Sequence, residues 1–319
     1  MPRDAPEADV EVDAGLVSRL VAAQHPSFAG PVELVANGWD NAIFRLGGHW
    51  AVRMPRRALA DRLVRSELRW LPVVAGSLPD GVRAPVPVAA GAPGLGYPYR
   101  WSITPWFEGE PAASVSPAER ASVAEALADV IVALGRPAPP DAPENPYRGV
   151  PLVARDPVVS ERLASGRLER LVSTDVAALA AVWADAIAAP EWAGAPRWVH
   201  GDPHPGNLLL ERASDADVDA DAGVDARAAG WRLTAILDFG DLTAGDPATD
   251  LAAAWLVFDA VGRASFRHRV ERLRPTDAAD WARARGWALA MGSAIVDAIG
   301  TDGPIGRVGA HALEQVLLD

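Results

Sequence analysis

Residues 198–210 read Trp-Val-His-Gly-Asp-Pro-His-Pro-Gly-Asn-Leu-Leu-Leu, and residues 235–241 read Ala-Ile-Leu-Asp-Phe-Gly-Asp. Asp202 and Asn207 lie five apart in a Pro/Gly-rich loop that runs into an apolar strand, and Asp238 follows a second apolar strand thirty-six residues after Asp202. The two strands, predicted over Leu208–Leu210 and Leu233–Leu237, bring three oxygen-bearing side chains toward one place. Phosphoryl transfer needs a carboxylate to orient the attacking hydroxyl and accept its proton. It also needs hard oxygen ligands for the Mg²⁺ that neutralises the phosphates. Asp202 suits the first task, Asn207 and Asp238 the second, and His200 is expected to brace the loop. An isolated His-Gly-Asp is an ordinary surface turn; the joint appearance of all four residues between apolar strands is what points to a site.

Outward from this core, the acidic, Ala-rich stretch Ser214–Ala229 reads as a mobile hairpin tip. Upstream, helical spacing predicts a helix over Ala14–Gln24. Short β-prone runs over Val32–Val35, Ala42–Leu46 and Trp50–Met54, punctuated by Asn37–Asn41 and Gly47-Gly48, predict antiparallel strands. A helix over Ala58–Val74, with Leu63, Leu68 and Leu71 turned to a core, and strands over Val82–Ala90 and Tyr99–Phe107 complete a β-rich lobe holding one helix over residues 28–107. Further helices are predicted over Ser116–Leu134, Val158–Leu171, Thr174–Ile187, Ala248–Val261, Asp277–Ile299 and Ala310–Leu317.

The pattern H-G-D-x-x-x-x-N, then a strand and D-F-G, resembles the aminoglycoside phosphotransferase family, relatives of the protein kinases that include macrolide, fructosamine and choline kinases. The resemblance covers residues 28–300 and implies an α+β, bilobal protein-kinase-like fold. Its antiparallel-sheet N-lobe would span 1–104, with an acidic tail over 1–13, and its mostly helical C-lobe 105–319, with a catalytic loop at 198–210 and a metal loop at 236–246. It implies Asp202 as catalytic base, Asn207 and Asp238 as magnesium ligands, and His200 as the structural loop histidine. His204 is expected to shape the loop, Gly240 to supply a permissive turn, and Asp246 and Asp250 to act as loop and helix-cap residues.

In the first lobe, Arg53 ends a strand where this fold usually carries a phosphate-touching Lys, and Glu67, fourteen residues on, stands where that base finds its partner. Arg suits the task because a guanidinium grips phosphate and carboxylate in bidentate fashion, and macrolide-kinase-like relatives also carry Arg in an R-x-P-R run. The turn with Gly38, Asp40 and Asn41 is expected to cover the phosphates, although it lacks G-x-G-x-x-G. Backbone groups near Phe107, after Pro105, are expected to grip the nucleotide base. Arg56 and Arg57 read as a solvated turn. Trp255, Phe258, Asp259, Trp281 and Trp287 are candidates to line the acceptor pocket, with core packing as the competing role.

Composition narrows the function classes. With 319 residues, half of them hydrophobic and 23% charged, the chain suits a two-lobed folded protein. Forty-two acids against thirty bases, a net charge of −12, argue against nucleic acid as partner. The same field favours a cationic acceptor. All thirty bases are Arg, so no Lys is available for phosphate binding. The absence of cysteine excludes disulfides and thiolate chemistry. With no signal-like or membrane-spanning run, a cytoplasmic protein, monomeric or weakly dimeric, is expected. The expectation is therefore an O-phosphotransferase carrying the γ-phosphate of ATP or GTP, with Mg²⁺, to a hydroxyl of a small molecule. The acceptor is first an aminoglycoside antibiotic and alternatively a macrolide 2′-hydroxyl or another metabolite. A pseudokinase-like binding module and a non-nucleotide metal hydrolase are the competing readings.

Overall fold

The computed structural model describes residues 8–38, 40–213 and 230–319. Strands β1 (Val32–Asn37), β2 (Asn41–Leu46), β3 (Trp50–Pro55), β4 (Ala89–Gly91) and β5 (Trp101–Pro105) form one antiparallel sheet in the order β1-β2-β3-β5-β4. Alternation along β2 and β3 sends Ala42, Phe44, Leu46, Val52 and Met54 to one buried face. Helix α1 (Ala14–Gln24), capped by Asp13 accepting from Leu16 N–H, closes that face with Val17, Leu20 and Val21. As the sequence predicts, α1 precedes a lobe over residues 28–107 that holds a single helix.

That helix is α2 (Ala58–Ala75), and its buried residues are Ala60, Val64, Glu67, Leu71 and Val74. That spacing is one helical face, so the inward stripe is not the predicted Leu63/Leu68/Leu71 set; only Leu71 belongs to both. A glutamate sits in the middle of the stripe. The predicted strand over 82–90 is reduced to Ala89–Gly91, because Arg83 leaves the sheet. Arg83 N–H donates to Thr234 O and Arg83 O accepts from Ile236 N–H, both at 2.9 Å. This segment therefore stitches the first lobe to the second.

Past the linker, β6 (Glu110–Pro111) pairs with β8 (Leu208–Arg212), which pairs with β9 (Trp231–Ile236); β7 (Arg197–Val199) pairs with β10 (Thr243–Gly245). The rest is helical. It comprises α3 (Pro117–Arg120), α4 (Ala124–Leu134), α5 (Asp156–Ala164), α6 (Val176–Ala188), α7 (Ala248–Leu251), α8 (Ala253–Val257), α9 (Ala260–Leu273), α10 (Ala278–Ile299) and α11 (Gly303–Gln315). The predicted single helices over 116–134, 158–171 and 248–261 are broken, each into a helix and a shorter turn or second helix. The predicted hairpin tip 214–229 lies outside the described residues.

Trp255, Phe258 and Trp287 are fully buried in the C-lobe core and Trp281 nearly so. These aromatics hold the helices together, the core-packing role weighed against an acceptor pocket. Among the described residues, no helix is long and apolar enough to cross a membrane.

Candidate active site

The residues of the loop after β7 are positioned by backbone hydrogen bonds that the sequence pattern hides. β7 pairs with β10, setting Val199 opposite Thr243, and the chain then turns at Gly201 with φ +91°. A Cβ there would lie 2.7 Å from Asp241 O, so only glycine fits this turn. Buried Asp250 accepts from His200 N–H (2.7 Å) and Gly201 N–H (2.9 Å). It ties the loop to α7 and does not act as the expected helix cap. Burial pushes the Asp250 carboxyl up, against the pull of His200 and the two N–H donors. Asp246 does serve its loop, accepting from Ala248 N–H at 2.9 Å while pairing with buried Arg283 at 2.8 Å.

His200 is wholly buried. Its Nε2–H faces Leu237 O at 3.0 Å and its Nδ1 accepts from Asp202 N–H at 3.2 Å, a tautomer that joins the loop of Asp202 to the strand end before Asp238. Asn207 closes the loop: its Nδ2 donates to Asp202 O (2.9 Å) and Asp202 Oδ2 (3.3 Å), while its backbone carbonyl accepts from Leu237 N–H (2.8 Å). The carboxamide oxygen of Asn207 accepts nothing among the described residues.

Asp238 adopts a left-handed conformation, φ +56°, that turns its carboxylate out of the strand line and lets Oδ1 accept from Gly240 N–H at 3.2 Å. Arg53 reaches across the cleft to the same oxygen, Nη2 to Oδ1 at 3.0 Å, and holds Glu67 through Nη1 at 3.0 Å. With its amide oxygen toward the guanidinium, buried Asn41 accepts from Arg53 Nε at 3.2 Å and Nη2 at 3.0 Å. Burial, partly offset by Arg53 and reinforced by Asp238, pushes Glu67 up to about 7. Asp238 is held low: burial raises it, but Arg53, the Gly240 N–H and His200 together outweigh that.

The structure thus brings Asp202, Asn207, Asp238, Arg53, Glu67, Asn41 and His200 together. Gly38 and Asp40 sit on the turn above, with Gly38 O accepting from Arg56 Nη1 (2.6 Å) and Asp40 paired with Arg57. Arg56 and Arg57 therefore clamp the turn, correcting their reading as merely solvated. Phe107 stands apart in the linker under the Arg83 guanidinium, 4.6 Å from the ring centroid, and its N–H donates to no acceptor among the described residues.

Three neighbours of Asp202 escaped the sequence reading in part or whole. His204 Nδ1 accepts from Gly206 N–H (2.9 Å), the loop-shaping expected of it, and its Nε2 lies 3.4 Å from Asp202 Oδ2. Arg148, from the Pro-rich stretch before α5, places Nη2 3.9 Å from Asp202 Oδ1. Asn145 donates to Asp241 Oδ1 at 2.8 Å. No spacing ties Asn145 or Arg148 to the motif, which is why neither was legible. Burial raises the Asp202 carboxyl, but His204, Arg148 and His200 together hold it well below the usual range.

The donor set suits magnesium, which takes one or two protein oxygens and completes its shell with phosphates and water. Asn207 Oδ1 and Asp238 Oδ2 are hard oxygens that accept no hydrogen bond among the described residues. No group of three or more His, Asp or Glu placed to hold a metal occurs among the described residues.

A sheet lobe and a helical lobe, joined at Phe107 and closing on a buried Arg–Glu pair and an Asp-Asn-Asp cluster, define a kinase-like phosphotransferase. Residues 31–287 match the phosphotransferase enzyme family, and the chain belongs to it. Solved structures share the fold. The GDP and kanamycin complex of APH(2″)-IIIa matches with TM-score 0.62 at 17% identity, covering 94% of this chain and 97% of that one. The macrolide 2′-phosphotransferase MphH from Brachybacterium faecium matches with TM-score 0.52 at 18% identity, covering 94% and 97%. No curated protein sequence matches significantly.

Proposed function

We propose that the protein transfers the γ-phosphate of ATP or GTP, with Mg²⁺, to a hydroxyl of a small molecule, with Asp202 as the base. The observation that carries this reading is the asymmetry of the Asp202 carboxylate. Oδ2 is held by Asn207 Nδ2 at 3.3 Å and His204 Nε2 at 3.4 Å, while Oδ1 accepts no hydrogen bond among the described residues and has Arg148 Nη2 3.9 Å away. An acceptor hydroxyl docked on Oδ1 is oriented for in-line attack and hands its proton to that oxygen as the new O–P bond forms and the bond from the γ-phosphorus to the departing nucleoside diphosphate breaks. The low carboxyl pKa keeps Asp202 ionised at physiological pH. In a loose transition state orientation matters more than basicity.

Asn207 Oδ1 and Asp238 Oδ2 would hold Mg²⁺, which when bound neutralises the phosphate oxygens. Arg53, fixed by Glu67 and Asn41, would contact the phosphates in place of a lysine, and the turn at Gly38, Asp40 and Asn41 would cover them. The free N–H of Phe107 would meet the nucleotide base. The acceptors to test first are an aminoglycoside, as in the kanamycin and gentamicin complexes of neighbouring structures, and a macrolide.

Titrating the protein with ADP and GDP, with and without Mg²⁺, tests the donor side. Asp238→Asn and Asn207→Ala should each weaken the Mg²⁺-dependent component about tenfold or more, and Asp202→Asn should leave affinity within a few-fold. Nucleotide binding that ignores Mg²⁺ in all forms would remove the metal assignment.

A further inference from the structure

We infer that Arg148 and Arg155 form an oxyanion subsite on the acceptor side of Asp202, and that the hydroxylated acceptor carries a carboxylate, phosphate or sulfate group. This rests on the proposed role of Asp202 as base and narrows the acceptor class.

The side of approach follows from the same carboxylate asymmetry. Oδ2 is occupied by the loop itself, which leaves Oδ1 for the acceptor, and Arg148 Nη2 lies 3.9 Å from that oxygen. The catalytic loop fixes this guanidinium: Nε donates to Gly201 O at 2.6 Å and Nη1 to Tyr147 O at 3.3 Å. Its acidic neighbour, Asp241, stands 3.6 Å from Nε and is already engaged by Asn145 at 2.8 Å. Nη2 makes no hydrogen bond among the described residues, and its charge lies beside Asp202 Oδ1.

Arg155 supplies the second cation. Its guanidinium lies over the exposed Tyr147 ring, 5.3 Å from the centroid, and makes no ion pair or side-chain hydrogen bond among the described residues. The adjacent carboxylate is not its ion-pair partner: Asp156 Oδ1 accepts from Ser160 Oγ (2.6 Å) and from Trp183 Nε1 of α6 (2.8 Å). Burial and the Arg148 charge both work against the Arg155 cation. Two guanidinium groups that both contact Tyr147, one of them with no acid of its own among the described residues, raise the free energy of the empty protein. A bound oxyanion relieves that cost through charge-assisted, bidentate contacts. A polycationic acceptor would meet the same groups at a disadvantage, even though the chain as a whole carries a charge of −12.

The test uses the full chain and sulfate as probe, titrated by calorimetry with and without saturating MgADP. Arg155→Gln and Arg155→Lys are compared with wild type, the Arg155 side chain being partly exposed and in no hydrogen-bond network. The expected result is one sulfate bound per chain in the MgADP-loaded protein, about tenfold weaker in Arg155→Gln and retained in Arg155→Lys. In the companion assay, nucleoside diphosphate release should be stimulated by hydroxy acids or sugar phosphates over their methyl esters, and this preference should vanish in Arg155→Gln. Absence of sulfate binding, or equal binding in wild type and Arg155→Gln, would overturn the subsite. So would kanamycin stimulating release more than every anionic acceptor. A protein that binds sulfate at Arg155 but no MgADP would instead contradict the phosphotransferase reading and leave the anion site standing.

Discussion

Arg53 Nη2 stands 3.0 Å from Asp238 Oδ1, so a residue of the first lobe touches the expected metal ligand of the second directly, while the same guanidinium holds Glu67 at 3.0 Å. A lysine ammonium could not span both carboxylates and Asn41 at once; the planar fork can. The two lobes are thereby coupled through one cation.

Glu67 is the part of this arrangement that is expensive when ionised. Its carboxyl is raised to about 7 from an ordinary 4.5, so between those values the folded protein holds more proton than the unfolded chain. Stability from this group is full below about 4.5 and is lost as pH rises through 7. Glu67→Gln mimics the protonated form. Chemical denaturation should therefore show it within about 1 kcal/mol of wild type near pH 5 and gaining steadily relative to wild type up to pH 8. Its Mg²⁺-nucleotide affinity should fall about tenfold, because Arg53 loses its anchor.

Gly201→Ala addresses the turn before Asp202. With φ at +91° and Asp241 O 2.7 Å from the added Cβ, the loop must shift. The expected cost is about 2 kcal/mol of stability. Turnover should fall by a factor of about 100 or more, since an ångström-scale displacement of the base is enough for that.

Asp250→Asn tests the hidden brace. A carboxylate serves His200 N–H and Gly201 N–H with two different oxygens, and an amide has only one to offer. Leaving one buried N–H facing an amide donor should cost about 2 kcal/mol by denaturant titration. It should also lower kcat while leaving nucleotide binding nearly unchanged.

These residues also mark how far the sequence could be read. The order His200, Asp202, Asn207, Asp238 was legible because each must occupy a fixed step of one loop or the next strand end, and chain spacing encodes that. Glu67 was legible as a partner of Arg53, though its setting on the Ala60-Val64-Leu71-Val74 face was not, since a charged residue interrupts the apolar period. Arg148 and Asp250 reach the loop from fifty residues away, through contacts that no local pattern records. Trp255 and Trp287 were plausible pocket residues by type, yet packing took them into the core.

His311 provides a second pH signature, remote from the cleft. Burial, with help from Arg120, pushes its imidazole down to about 4 from 6.5, while Nε2–H donates to Phe258 O at 3.0 Å. The unfolded chain therefore binds the extra proton first. Stability contributed by this group is present above 6.5 and is lost as pH falls toward 4, by roughly 3 kcal/mol in full. His311→Gln should flatten that limb of the pH–stability curve; identical acid limbs in the two proteins would rule out the assignment.

The most direct measurement is nucleoside diphosphate release with MgATP and MgGTP, comparing wild type with Asp202→Asn across kanamycin, a macrolide and anionic hydroxylated acceptors. The account predicts acceptor-stimulated release in wild type, lower by a factor of about 100 to 10,000 in Asp202→Asn, with nucleotide affinity within a few-fold. Stimulated release of equal rate in both proteins would contradict it.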